Sequence, residues 1–329
     1  MTEPLVSAIV IFHNEERFLE EAILSVLTQT YPHWELLLCD DGSTDGSAEI
    51  AQRYAAAHPE KVRYVCHDGH ANRGMSATRN LGLRSSTGDY VAWLDADDVW
   101  LPRKLEQQVE LMQKHPEAAL VYGPLHIWYG WTGRPADRRR DLIQDLGVPP
   151  NTLVPAPELL LRFLENDMHL PAGELARRDV LDAVGRYDEG TSDEFEDEIV
   201  YFRICREFPV FAAGETWYRY RQHAESFSTS ATARSRREVR AVRRAYLERL
   251  ASELRDWGRE PGAIEVTLRR ELRRQHGVGA FVADCKALLM LPRRAVWAGK
   301  RTARGLGERA RQALNRDREA QPSTKAGAE

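Results

Sequence analysis

Asp95, Asp97 and Asp98 fall within four residues, with Ala96 between the first two, directly after the apolar run 90–94 (YVAWL). Carboxylates this close repel one another in a low-dielectric cleft unless a cation offsets their charge. Their oxygens suit a hard ion such as Mg2+ or Mn2+, which keeps waters and is completed by phosphate oxygens. The same run would also serve as a solvated acidic turn before a helix that Pro102 can open. A second acidic element, Cys39-Asp40-Asp41-Gly42-Ser43, follows the apolar residues 35–39. A carboxylate there can accept hydrogen bonds from a base or ribose, and Gly42 permits a sharp turn. Ser43 and Asp45 would equally cap a following helix.

Both acidic runs end short β-type segments, so the intervening elements decide where they lie. Residues 6–12 (VSAIVIF) are almost continuously apolar, as in a strand buried on both faces. Residues 15–28 carry Phe18, Ala22, Ser25 and Val26 near helical spacing. Strands over 35–39, 62–66 and 90–94 then alternate with helices ending near Ala57 and Arg84. A βαβαβαβ order implies a mainly parallel sheet with helices on both faces, and ligands at the carboxyl ends of its strands. Residues 134–157 are polar and Pro-rich and read as a loop or insertion; 155–163 read as helix and 217–221 as strand.

The chain has 329 residues, 43% of them hydrophobic and 29% charged, room for one large domain plus an appendage. Cys39, Cys66, Cys205 and Cys285 lack paired spacing, which argues against a zinc site or disulfide framework and suits a reducing compartment. No secretion signal is legible at the N-terminus, and no apolar stretch reaches the roughly 18–20 residues of a membrane span. From Ala231 onward 24 basic residues face 12 acids, a net of +12, while the rest carries −16. A Gly-rich G-x-G-x-x-G after a strand and a P-loop are both missing, which disfavours an oxidoreductase and a P-loop enzyme.

Four pieces occur in order: VSAIVIFHNEE, ILSVLTQTYPHWELLLCDDGSTDGS, NRGMSATRNLGLRSSTGDYVAWLDADD and PRKL. Together they resemble the nucleotide-sugar-binding half of family 2 glycosyltransferases, inverting enzymes with a GT-A fold. The resemblance continues through FEDEIVYFRI and YRYRQHAESFS, and so covers about residues 4–230. It implies an α/β, GT-A-type fold, with a Rossmann-like nucleotide-binding half over 4–122 and an acceptor half over 123–230. A basic helical extension over 231–314 and a disordered tail over 315–329 would follow.

The resemblance also implies roles. Phe12, Asn14 and Glu15 would border the nucleoside, and Asp41, with Asp40 and Ser43 in the same turn, would contact the base. Arg73 or Arg79 would lie near the nucleotide or donor sugar. Asp95 and Asp97 form the family's D-x-D element, with Asp97 the direct metal ligand, Asp95 and Ala96 towards ribose or sugar, and Asp98 able to approach the donor. Arg221 and His223, in a Tyr-Arg-x-His segment with Ser226 and Ser228, would close over the diphosphate as a flexible lid, His223 beside the metal. The Glu-Asp pair of similar enzymes, followed by an arginine, matches Glu196-Asp197 and Arg203, which makes Asp197 the expected general base and Glu196 its competitor. An acidic helix start favoured by the macrodipole is the plainer reading of that run.

The expected cofactor is Mg2+ or Mn2+. The expected partners are a nucleotide-sugar donor, of UDP type by family precedent, and a glycan, lipid-linked saccharide or small-molecule acceptor, with no nucleic acid. His13 and His169 have weaker cases, and Trp93, Trp100, Trp128 and Trp131 could stack on sugars or simply pack. Apolar residues among arginines over 287–297 suggest peripheral membrane contact, hence a cytoplasmic protein or one at the inner face of the plasma membrane. The rival readings are a sugar-phosphate nucleotidyltransferase and a non-catalytic nucleotide-sugar binder. His13-Asn14-Glu15 stands where the former would carry a Gly-rich, basic triphosphate loop, and acids at both metal and base positions argue against the latter.

Overall fold

The computed structural model describes residues 3–165, 173–189, 196–226, 236–257 and 262–274. His169, residues 193–195, Ser228, the 287–297 segment and the 315–329 tail lie outside the described residues.

All seven residues of β1 (Val6–Phe12) are buried. Successive side chains point to opposite faces. Ile9 and Ile11 join Leu37, Cys39, Val91 and Trp93 in one apolar cluster. Val6, Ala8, Val10 and Phe12 join Leu36, Leu38, Ala92 and Leu94 in another. Helices must therefore cover both faces. Strand β1 pairs in parallel with β2 (Trp34–Asp40) and β4 (Tyr90–Asp95), and β2 in parallel with β3 (Val62–Cys66). Helices α1 (Leu19–Leu27), α2 (Ser47–Ala57) and α3 (Met75–Ser85) connect them. The order β3-β2-β1-β4 reverses direction between β1 and β4. Ligands of such sheets sit outside the carboxyl ends at that reversal. The residues found there are 13–15 and 95–98.

Beyond β4 the sheet continues through β10 (Leu175–Arg177), β6 (Leu120–Tyr122), β11 (Val210–Ala212) and edge strand β9 (Thr152–Val154). β10 is antiparallel to both neighbours, β11 is parallel to β6, and β9 is antiparallel to β11. Four of the seven pairings are thus parallel, all three of the first half among them. A small second sheet, β5 (Val99–Trp100), β12 (Tyr218–Arg221), β7 (His126–Trp128) and β8 (Leu142–Ile143), lays β12 against the turn that holds the acids. The remaining helices are α4 (Lys104–Lys114), α5 (Pro135–Arg138), α6 (Glu158–Leu164), α7 (Arg178–Val184), α8 (Glu196–Glu207), α9 (Arg236–Asp256) and α10 (Gly262–Arg274).

Three expectations change. The helix expected from residue 15 begins at Leu19, because the N–H groups of Glu15 and Glu16 donate to Ser47 Oγ at 2.9 Å and Asp45 Oδ2 at 3.0 Å. The expected insertion 134–157 contains α5, β8 and β9, and β9 completes the main sheet. The boundary near residue 230 does not separate two cores. Tyr246, Leu247, Leu250 and Leu254 of α9 and Ile264 and Leu268 of α10 join the cluster containing Phe163 and Phe202.

Helix α3 lies close to the sheet at Gly82, where a Cβ would stand 2.5 Å from Ile9 Cγ2 and 3.1 Å from Cys39 Sγ. Gly82→Val should therefore cost about 1–3 kcal/mol by overpacking. Thermal melts would register this as a lower Tm, and an unchanged Tm would contradict this close packing.

Candidate active site

The loops after β1 and β2 fasten to one another. Asn14 adopts φ 57°, donates its N–H to Ser43 Oγ at 3.0 Å, and accepts the Thr44 N–H on Oδ1 at 2.7 Å. Fully buried Asp40 accepts from Ser43 N–H and the Tyr64 hydroxyl, each at 2.8 Å, and lies 2.9 Å from His70 Nε2. Burial alone would push its carboxyl up; the hydrogen bonds from His70, Ser43 and Tyr64 outweigh that and hold it low. Asp41 accepts the N–H groups of Arg73 at 2.7 Å and Gly74 at 3.0 Å. Gly42 has φ +75°, and a Cβ there would meet Asn72 N at 2.7 Å, so the turn requires glycine.

This geometry corrects several expectations. Asp40 and Ser43 build the turn, and Asp41, 6% exposed, spends an oxygen on each of the Arg73 and Gly74 N–H groups. Ser43 serves the β1 loop rather than capping α2. Phe12 turns its ring into the core, and Arg73 meets the turn by its backbone while its side chain is exposed.

The acids of 95–98 end β4 and form the turn after it. Arg79 is 7% exposed, sits beside the rings of Trp93 and Tyr187, and places Nη2 3.3 Å from Asp95 Oδ1. The Asp95 side chain stays 44% open to the cleft. Its carboxyl is nevertheless pushed up, first by loss of surrounding water, then by Asp97 and Asp197, with Arg79 opposing. Glu15 feels the same crowding: burial and then Asp97, Asp45 and Asp95 raise it to about 7, against the charge of His223. The loop after β1, the end of β4 and the start of α8 thus bring acids into one field.

Asp97 Oδ2 lies 3.0 Å from His223 Nε2, and the other ring nitrogen of His223 is buried without a hydrogen-bond partner. Arg221, expected as part of a lid, is packed inside the protein. It is 3% exposed in β12, donates to Glu21 at 2.6 Å and to the Asp97 carbonyl at 2.5 Å, and sits among Phe18, Trp128 and Trp131. Asp98, expected near the donor, is fully buried and accepts the Arg221 N–H at 2.7 Å. It ties β12 to the acid turn, and burial, then Asp97 and Asp95, drives its carboxyl well up. Ala96 is 3% exposed, so it offers the cleft little side-chain surface. Trp93 and Trp100 are buried, while Trp128 and Trp131 flank Arg221.

Among the described residues no three His, Cys, Asp or Glu side chains form a ready metal cage. Mg2+ and Mn2+ need none, since one or two protein ligands plus substrate phosphates suffice. The donor set fits such an ion: Asp97 Oδ2 and His223 Nε2 face one another at 3.0 Å, beside the carboxyls of Asp95 and Glu15, which burial and then the neighbouring acids push up.

Helix α8 opens with Glu196 and Asp197; the Glu196 side chain lies outside the described residues. Asp197 Oδ1 accepts the Glu198 N–H at 2.9 Å, and Asp197 is near enough to Asp95 to raise its pKa. Arg203 turns to Glu253 and Asp188 rather than to the cleft. The sequence reading missed Glu21, Asn80 and Tyr187. Asn80 clasps Tyr187 through Nδ2 to its carbonyl at 2.8 Å and Oδ1 from its N–H at 3.0 Å, which seats the tyrosine beside Arg79. Only its place beside Arg79 within NRGMSATRN hinted at this.

The sheet order and the acid-lined switch point define a GT-A glycosyltransferase fold. TarS residues 1–349 from S. aureus, solved with UDP-GlcNAc, superposes with a TM-score of 0.57 at 19% identity, covering 83% of this chain and 72% of that one. The mannosyltransferase PcManGT from Pyrobaculum calidifontis, solved with GDP-Man and Mn2+, gives 0.56 at 20% identity over 92% and 81%. A family model described as Glycosyl transferase family 2 matches residues 7–184, more than half of the chain, so the protein belongs to that family. TuaG of Bacillus subtilis (strain 168), provisionally named a teichuronic acid biosynthesis glycosyltransferase, is 35% identical over 158 residues, 48% of this chain and 55% of TuaG. The Escherichia coli protein WfgD, named UDP-Glc:alpha-D-GlcNAc-diphosphoundecaprenol beta-1,3-glucosyltransferase, is 35% identical over 127 residues, 39% of this chain and 48% of WfgD. The chain spans about half the length of these relatives. No described helix is long and apolar enough to cross a membrane.

The raised carboxyl of Glu15 has a measurable consequence. Its folded pKa of about 7 exceeds the ordinary 4.5, so between these values the folded protein binds more protons than the unfolded chain and stability falls as pH rises. In EDTA, Glu15→Gln and wild type should unfold at similar urea concentrations near pH 5, with the variant increasingly the more stable towards pH 8. A gap that does not vary with pH would reject the crowding.

Proposed function

We propose that this chain is a metal-assisted, inverting glycosyltransferase that moves a sugar from a UDP-linked donor to a hydroxyl of a lipid-linked saccharide or related glycan in surface-polysaccharide assembly. The observation that carries the reading is the convergence of Asp95, Asp97 and Asp197 at the β1–β4 switch point of a family 2 chain. The names of WfgD and of the TarS complex support a UDP-type donor, and that of WfgD supports a diphosphate-lipid acceptor.

In this reading Asp41 and the 13–15 loop receive the nucleoside, Arg79 and Asp95 hold the ribose or sugar, and Asp97 with His223 holds Mg2+ or Mn2+. The bound ion offsets the negative charge that collects on the departing diphosphate. Asp197 takes the proton of the acceptor hydroxyl as its oxygen bonds to the sugar's anomeric carbon from the face opposite the leaving group. The bond from that carbon to the diphosphate oxygen breaks in the same displacement, which inverts the configuration. His223 and Asp97 are held in place by Arg221, whose cation is locked among aromatic rings and Glu21.

A thermal-shift screen of UDP-glucose, UDP-galactose, UDP-GlcNAc and GDP-mannose with Mn2+ selects the donor. With it, Asp197→Asn should lose about 10²–10⁴ in turnover while donor affinity stays within about threefold. Wild-type turnover by that variant rejects Asp197 as the base.

A further inference from the structure

Helix α9 and the residue after it, outside the catalytic region expected from sequence, meet α8 through side chains at three places. Glu198, the residue after Asp197, is 7% exposed and faces Arg243 and Tyr246 of α9. Arg203 makes a two-pronged pair with Glu253, Nε to Oε2 and Nη2 to Oε1, each at 2.9 Å. At the far end Trp257 donates Nε1–H to Glu207 Oε1 at 2.9 Å, with Arg206 over its ring.

The same network reaches the cleft by a second route. Arg203 also donates to Asp188 Oδ1 and the Arg186 carbonyl, each at 3.0 Å, and Arg249 bridges Asp188 Oδ2 at 2.5 Å and Glu253 Oε1 at 2.8 Å. Between Arg186 and Asp188 stands Tyr187, clasped by Asn80 and set beside Arg79, which holds Asp95. Half-buried ion pairs add little net stability, because desolvation consumes most of the Coulomb gain. A planar guanidinium with donors committed on three nitrogens does fix orientation. The geometry is that of a jig.

We propose that Glu253, with Arg249, is a positioning residue for sugar transfer. From helix α9 it sets, through Arg203 and Asp188, the placement of the Asp197-bearing helix α8 and of the 186–189 segment. The proposal rests on Asp197 as the base. The C-terminal extension is then part of the catalytic apparatus, whatever its later residues do. Small displacements of a base cost rate more than donor affinity, because Tyr187 beside Arg79 is also held directly by Asn80 of α3.

The test uses the full chain with Mn2+ and the nucleotide sugar selected by the screen above, at a temperature where every variant is folded. Glu253→Gln should lower kcat about tenfold with the donor KM within about twofold, and Glu253→Asp should recover most of the loss. Arg249→Gln, which leaves the Arg203–Glu253 pair intact and so guards against misfolding, should lower kcat about threefold. Arg244→Ala, from the exposed Arg244–Glu248 pair on α9, should change nothing. Hydrogen exchange should quicken in peptides covering 196–207 of Glu253→Gln and not in those of β1 to β4. Wild-type kcat in Glu253→Gln, equal losses of kcat and donor affinity, or unaltered exchange in 196–207 would overturn the proposal. Should Asp197→Asn itself retain turnover, the reading beneath has failed; an inactive Asp197→Asn beside a fully active Glu253→Gln isolates the failure to α9.

Discussion

Mutual repulsion among carboxylates at the end of a parallel sheet is the constraint on which this structure turns. Two like charges about 4 Å apart, partly screened, cost about 4 kcal/mol. Here Glu15, Asp95, Asp97 and Asp197 share a field in which Arg79 and His223 supply the opposing charge. Burial first, and the neighbouring carboxylates after it, push the carboxyls of Glu15 and Asp95 up against the opposing charges of His223 and Arg79. A site of that kind is a poor resting place for a bare anion, and in the proposed function a divalent cation brought with a diphosphate would relieve it.

Everything around the acids serves to keep them there. The switch in strand order sets β1 and β4 side by side, and crossed hydrogen bonds through Asn14 and Ser43 lock the first two loops together. Asp98 and Arg221 fasten the second sheet to the acid turn and bring His223 to Asp97. The third support comes from far along the chain, where α9 braces α8. Core packing and site geometry are thus the same problem solved twice: apolar clusters on both sheet faces give stability, and buried polar ties give orientation.

The nucleotide half was legible because its signals are local. An almost continuously apolar run such as 6–12, followed at once by polar residues, identifies both a buried strand and its carboxyl end, and the ordered motifs point to the family whose model matches. What could not be read was the direction of individual side chains within a motif. Asp97 and Asp98 are neighbours, yet one meets His223 in the cleft and the other is buried. The difference is set by how β12 registers against β5, over a hundred residues later. The lid role expected of Arg221 came from the family's Tyr-Arg-x-His segment, which says nothing of its aromatic enclosure by residues 18, 128 and 131. Strands of two or three residues, such as β8 and β9, are too short to show periodicity. The Arg203–Glu253 pair spans 50 residues and has no pattern at all in the sequence.

The account is tested most directly by titrating UDP into the wild-type protein and Asp97→Asn by calorimetry, in EDTA and in Mn2+. If a divalent ion joins the carboxylates to the diphosphate, Mn2+ should tighten UDP binding by about tenfold or more, and the variant should lose that increment while retaining its weak EDTA affinity. Equal UDP affinity with and without Mn2+ in the wild-type protein would contradict it.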